Sequence, residues 1–486
     1  VTGALHELGL AEASRQLGAG TLSPVELTQA YLDRIAAIDP VVNSYITVTA
    51  DRALAEAKAA ETAITDGHRI GPLHGIPYAL KDIYDTAGIL TSGHSARCKT
   101  RIPTEDATVV RKLREAGGVM LGKLSTHEFA TGGPSFDLPW PPARNPWGLT
   151  RFTGGSSSGS GAAVAADLAP LAMGSDTGGS VRLPASFCGV AGVKPTYGRV
   201  SKRGILPLSW TMDNAGPLAR TVEDCAIALQ AIAGYDPADP DCADRAVPDF
   251  RAGFGQGLKG LRVGLVRHFY ETDRRADDSV VAAMDASMNL LRSLGATVQD
   301  VTLQPIGIYQ SCLRVIVLAE SFAIHGERLR THPEEYGEVF RYRIIPGAFV
   351  SGIDYVQAQR SQRALLTEMM NAFHDVDVLV TAGTWGEAPD LRRMQAEANF
   401  ASPPLSSPFN IAAMPAISIC NGFSPGGLPL AMQIAAAPFD EVTMFRVAQA
   451  YEQATPWLER RPVIDTTRPD VLPPDQLGRE ADGETR

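Results

Sequence analysis

Small hydroxyl-bearing residues crowd two stretches of this 486-residue sequence, Gly154-Gly155-Ser156-Ser157-Ser158-Gly159-Ser160 and Asp176-Thr177-Gly178-Gly179-Ser180, with Ser180 lying 24 residues after Ser156. Ordinary core packing has little use for such residues, but acyl transfer does. One serine can attack a carbonyl, a second hydroxyl can pass on its proton, and glycines let backbone N–H groups approach developing negative charge. Between Lys123 and Leu261 the only histidine is His127, which points away from imidazole as the activating base.

Simpler motif readings fail on context. Gly155-Ser156-Ser157-Ser158-Gly159 matches G-x-S-x-G and would make Ser157 the nucleophile of an α/β-hydrolase. That elbow follows a strand, and residues 144–153 make a poor one. Gly159-Ser160-Gly161-Ala162-Ala163-Val164 breaks the dinucleotide fingerprint at its last position. His127, in Ser125-Thr126-His127-Glu128-Phe129, lacks a second ligand at i+4 and reads as a packed or surface histidine. Cys188 reads as core.

The elements that must hold these residues follow an α/β pattern, with apolar runs alternating with helical periodicity. Strand candidates are Ile76 to Leu80, Val119 to Gly122, Leu261 to Val266, Val298 to Leu303, Val376 to Thr381, Ala416 to Ile419 and Leu430 to Ile434. Val281, Met284, Met288 and Leu291 recur at helical spacing and end at Gly295, as an amphipathic helix with a C-terminal glycine should. Ala107 to Ala116, Leu313 to Leu329, Tyr355 to Phe373 and Val442 to Ala454 look similar. Residues 234–260, with three Pro, five Gly and five Asp, predict a long surface connection between two halves of the sheet. The Pro-rich, charged stretch 461–486 reads as a surface or disordered tail.

Composition narrows the class. Hydrophobic residues at 44% and charged ones at 20% describe a globular chain with a sizeable core. A net charge of −10, with no Lys/Arg run longer than two, argues against nucleic acid or an anionic membrane as partner. The apolar run Gly161 to Gly174, broken by Asp167 and Pro170, falls short of the roughly 20 residues that span a bilayer. Six scattered cysteines without C-x-x-C spacing read as reduced thiols, so a cytoplasmic location is expected. Nothing at the N-terminus looks like a signal peptide, although the chain starts at Val1 and a removed leader stays open.

Three segments carry a family resemblance: Gly75-Ile76-Pro77-Tyr78-Ala79-Leu80-Lys81-Asp82, Gly154-Gly155-Ser156-Ser157, and the run Gly174-Ser175-Asp176-Thr177-Gly178-Gly179-Ser180-Val181-Arg182 with Pro184-Ala185, Phe187-Cys188-Gly189 and Gly192-Val193-Lys194-Pro195-Thr196. In order and spacing the chain resembles the amidase signature family over about residues 20–455, including Asn145-Pro146-Trp147, Ala413-Met414-Pro415-Ala416 and Gly427-Leu428-Pro429. The resemblance implies a mixed, twisted central sheet covered by helices on both faces. It also implies one domain over residues 1–460, whose specificity segment spans about 300–410, followed by the tail.

It further implies a Ser-Ser-Lys triad: Ser180 as nucleophile, Ser156 as bridging serine after a cis peptide bond, and Lys81 as terminal base. The chemistry is coherent on its own terms. Ser156 can accept the Ser180 proton while giving its own to a neutral lysine amine, which requires burial to lower the Lys81 pKa from its usual value of about 10.4. N–H groups of Thr177, Gly178, Gly179 and Ser180 would form an oxyanion hole. Asp176 and Arg182 read as a structural ion pair, and Asp82 as scaffold. Neither metal nor cofactor is expected.

Substrate is less defined. Tyr197-Gly198-Arg199-Val200-Ser201 and Gly216-Pro217 to Asp224 resemble the family branch that releases ammonia from glutamine for mischarged tRNA. Gln310 to Phe373 and Leu379-Val380-Thr381-Ala382-Gly383-Thr384 depart from that branch. The expectation is therefore a free-standing monomer or homodimer that cleaves amides or aryl carbamates, with urethane or ester cleavage by the same serine. The amidotransferase subunit is the alternative. Arg199 is a candidate substrate-binding cation, and Phe129, Phe136, Trp140, Ile205, Leu206, Leu208, Trp210 and Met212 are candidates for an apolar pocket.

Overall fold

A computed structural model describes residues 4–394 and 404–467. Among them, eleven strands form one mixed sheet in the spatial order β1-β3-β2-β4-β6-β5-β10-β11-β9-β7-β8. The N-terminal flank holds β1 (Tyr45–Val48), β2 (Pro77–Lys81), β3 (Val119–Leu124), β4 (Leu171–Asp176), β5 (Ala191–Lys194) and β6 (Asn214–Ala219). The C-terminal flank holds β7 (Arg262–Leu265), β8 (Thr297–Asp300), β9 (Val378–Ala382), β10 (Ala416–Phe423) and β11 (Pro429–Ala436). The flanks meet where β10 runs antiparallel to β5, with Ala416 opposite Lys194. Residues 233–261 link the flanks without a helix or strand, as their turn-rich composition predicts.

Every residue of β2, β4 and β9 is buried. Successive side chains of a strand point to opposite faces, so the sheet is covered on both sides and its central strands need no polar face. That is why Ile76 to Leu80 and Val376 to Thr381 are readable as continuous apolar runs. All seven anticipated strands are present with different ends.

Four strands went unanticipated. β4 ends in Gly174-Ser175-Asp176 and β6 reads Asn-Ala-Gly-Pro-Leu-Ala, neither with strand-forming composition. Pro217 is tolerated because β5 pairs with β6 only at Ala219 and Leu218, leaving Pro217 a single strand neighbour in β4.

The five anticipated helices are present, and others add to the cover. Helix Pro24–Val42 starts at Ser23, whose hydroxyl accepts from the Val25 and Glu26 amides, has Pro24 in its first turn, and stops at left-handed Asn43. Its buried face includes Leu27, Tyr31, Ile35 and Val42. Helix Ile306–Thr331 is long and apolar enough by length and composition to cross a membrane. Here it packs against helix Gly352–Ala372 and carries buried Glu320, which accepts from Ser209 and Thr211. The six cysteines are unpaired. Of the anticipated tail, residues 468–486 lie outside the described residues, and Arg461 at its start is ion-paired with Asp167.

Candidate active site

The two polar stretches converge because β2 runs parallel to β4, with Leu80 beside Met173, so that Lys81 at the end of β2 comes level with the last residues of β4, which include Ser175. Lys81 is wholly buried, and its Nζ lies 2.8 Å from Ser156 Oγ and 2.9 Å from Ser175 Oγ, donating to both. Burial lowers the Lys81 pKa to about 7, and the Asp213 and Asp176 carboxylates only partly oppose it. Near neutral pH this lysine therefore exists substantially as the free amine.

Ser156 follows a cis peptide bond and precedes the helix Ser158–Ala165. Its carbonyl accepts from Thr126 Oγ1 at 2.9 Å and from the His127 amide at 3.0 Å. Ser157 is buried, with its hydroxyl on the Ser175 backbone, so the hydrolase-elbow reading has no exposed nucleophile.

Ser180 sits in the turn between β4 and the short helix Arg182–Cys188 and, unlike Ser156, is partly exposed. Its hydroxyl has no hydrogen-bond partner among the described residues, and it shares the wall of one cavity of about 570 Å3 with Ser156. Asp176 shapes this turn. Its carboxylate accepts from the Gly179 amide at 2.8 Å and the Val181 amide at 3.2 Å, and pairs with Arg182 at 3.0 Å. Burial alone would raise the Asp176 pKa, but Arg182, then Asn410 and Lys194, override it and hold the carboxyl well below its usual range. Arg182 also reaches Gln433 and the Ser406 carbonyl, so the pair ties the turn to the C-terminal flank.

This arrangement corrects one of the four anticipated oxyanion donors. The Gly179 N–H is committed to Asp176, whereas the Thr177, Gly178 and Ser180 amides have no internal acceptor among the described residues. Those three residues line the cavity and Gly179 does not.

Arg199 is a second correction. It is buried away from the cavity, paired with Glu441 at 3.2 Å, bonded to the Ala246 carbonyl and stacked on Phe439. Of the eight apolar candidates only Leu208 lines the main cavity. Ile205, Leu206 and Trp210 line a neighbouring cavity of about 250 Å3, while Phe129 packs with Tyr336 and Phe340 in a satellite core. Asp82 is scaffold, accepting from Ser92 and lying 3.4 Å from Lys123.

Sequence reading missed much of the cavity wall. Phe187, Leu313, Val317, Leu318, Ile344 and Trp385 supply its apolar surface, and Arg274, Arg314 and Arg343 with Asp277 and Glu387 supply charge. Most lie within the anticipated variable segment. Ser175 was also missed as a Lys81 partner, although it stands inside one of the motifs that mark the site.

A mixed sheet that brings together a buried lysine amine, a buried serine and a partly exposed serine matches known proteins in both sequence and fold. The family model described as Amidase matches residues 26–445, and the chain belongs to this family, the amidase signature enzymes, which act on C–N bonds. Among curated relatives, a glutamyl-tRNA(Gln) amidotransferase component of Methylococcus capsulatus is 40% identical, covering 94% of this chain and 99% of that protein. The peptide amidase of Stenotrophomonas maltophilia superposes with a TM-score of 0.83 at 34% identity, covering 95% of this chain and 99% of its own. A chain from a vestigial protein complex bearing on the origins of an s-triazine catabolic enzyme reaches a TM-score of 0.86 at 33% identity, covering 92% and 98%.

Proposed function

We propose that this chain hydrolyses carboxamide C–N bonds through an acyl-enzyme on Ser180, with Ser156 as proton relay and Lys81 as base. The observation that carries the reading is the contact between the buried Lys81 Nζ and Ser156 Oγ, at the wall of the cavity that also exposes Ser180. As a neutral amine, Lys81 takes the Ser156 proton while Ser156 takes that of Ser180, and the Ser180 oxygen bonds to the substrate carbonyl carbon. The Thr177, Gly178 and Ser180 amides receive the oxyanion. The proton returns along the same path to the leaving nitrogen, the C–N bond breaks, and water attacks the acyl group by the same relay.

For the substrate, glutamine within an amidotransferase has the better support. The 40%-identical relative bears that name along nearly its whole length, and the cavity wall offers arginines for a carboxylate and Asp277 for an ammonium group. On this reading the chain works with partner proteins that use the released ammonia. A specific observation keeps a free-standing amidase for larger amides or aryl carbamates as a second reading. The cavity, at about 570 Å3 with several large apolar side chains, is roomier than an amino-acid amide requires.

The test is amine release by wild type and S180A from glutamine, para-nitroanilides and aryl carbamates, with and without co-purified proteins. Release from glutamine, raised by partners, supports the first reading. Turnover of aryl substrates by the isolated chain supports the second, and activity surviving in S180A refutes the shared mechanism.

A further inference from the structure

His127 is used by none of the steps above, yet it stands between two cavities. It lines the main cavity beside Gly155 and Ser156, and also a small chamber behind it, walled partly by the polar residues His94, Thr126, Glu128, Ser135 and Ser158 and partly by apolar ones such as Leu138 and Pro142. Only 7% of His127 is exposed, and its Nε2 is sealed from solvent without a hydrogen-bond partner in the protein. A buried imidazole nitrogen left unpaired is unfavourable, so it calls for a hydrogen-bonding ligand. The chamber, at about 10 Å3, matches the space one water molecule needs.

The same imidazole is pressed against the bridging segment. A Cβ on Gly155 would stand 2.0 Å from His127 Cε1, so the glycine is the space the ring occupies. The His127 amide and the Thr126 hydroxyl both hold the Ser156 carbonyl. On its other side the ring stacks on Phe152, with centroids 5.9 Å apart and planes 19° from parallel. Burial first, and then the neighbouring Lys81 charge, pushes the His127 pKa down to about 3, so it is a neutral ring throughout the working range.

We infer that His127 is a positioning residue for Ser156: its Nε2 holds a single water in the chamber behind it, and the ring so fixed braces the Gly155-Ser156 peptide against Lys81. A neutral imidazole has one N–H and one lone pair, and the water completes whichever faces the chamber. A brace of this kind acts on the rate. Because the ring also lines the main cavity, substrate binding shifts too, but less than the rate, since the braced Ser156 moves the proton. The inference rests on the proposed role of Ser156.

The experiment measures kcat, KM and thermal midpoint for His127→Phe, His127→Gln and Ser156→Ala, using whichever substrate of the panel the wild type turns over. His127→Phe keeps the stack on Phe152 but cannot hold the water. It is expected to lose about 10- to 100-fold in kcat, with a several-fold smaller change in KM. His127→Gln restores a hydrogen-bonding nitrogen and is expected to recover most of that loss, and a crystal structure of the wild type should show the water on Nε2. Wild-type kcat in His127→Phe overturns the inference. So does a loss of kcat that tracks the thermal midpoint and is not rescued by Gln. Full activity in Ser156→Ala instead removes the relay itself, whatever the His127 variants do.

Discussion

In the proposed mechanism, the protonation of Lys81 decides whether Ser180 can act. With its pKa near 7, Lys81 is largely protonated below that pH and cannot accept the relayed proton, and above it the amine is free. The expected kcat/KM therefore falls tenfold per pH unit on the acid side and levels off above about pH 7 to 8; a profile flat down to pH 5 would exclude this lysine as the base. Ser180→Ala should abolish turnover with an unchanged circular dichroism spectrum, and Lys81→Ala should lose at least about 1,000-fold in kcat, read by amine release. The three residues of this proposal were legible because each stands in a dense motif. The oxyanion set was legible only in part. Which N–H groups are spare depends on where the Asp176 carboxylate turns, and spacing along the chain does not encode that direction. Arg199 misled for a related reason: a cation near a motif in sequence is paired here with Glu441, 242 residues away.

At the scale of the element, the signature turn is held by one buried ion pair and one tight approach. Removing the Arg182 guanidinium leaves Asp176 buried without its counter-charge, so Arg182→Met should cost about 3–5 kcal/mol in urea unfolding. Gly179 has φ +121°, and a Cβ there would stand 1.9 Å from Ser406 Oγ. Gly179→Ala should therefore destabilise by about 1–3 kcal/mol, and the added Ser406→Ala change should return part of that loss. Additive losses in the double variant would show that Ser406 is not the obstacle. Elements with apolar runs, such as β2 and β9, could be read from sequence. β4, which leads into the site, and its neighbour β6 could not, because Gly174, Ser175 and Pro217 lack strand propensity; Gly174 serves close approach to Leu218 and Ser157, and Ser175 accepts from Lys81.

Across the whole molecule, the sheet is two contiguous flanks joined at β5 and β10, with the turn from the first flank bolted to the second through Arg182, Asn410 and Gln433. The site therefore depends on both flanks, and unfolding of the C-terminal flank should cost activity at the same denaturant concentration as it costs fluorescence. The cavity wall is built largely by helix Ile306–Thr331 and the segments around Arg343 and Trp385, within the stretch of about 300–410 where the specificity segment is expected. Substrate choice was illegible for that reason: the wall is assembled from side chains distant in sequence, and no motif marks them.

The most direct measurement is site-resolved mass spectrometry after reaction with a slowly deacylating aryl carbamate, run in parallel on wild type, Ser180→Ala and Lys81→Ala at pH 8 and pH 6. The account predicts one carbamoyl adduct on the peptide bearing Ser180, absent in Ser180→Ala, strongly slowed in Lys81→Ala, and slower in wild type at pH 6 than at pH 8. An adduct on another residue, or equal labelling in Lys81→Ala, would contradict it.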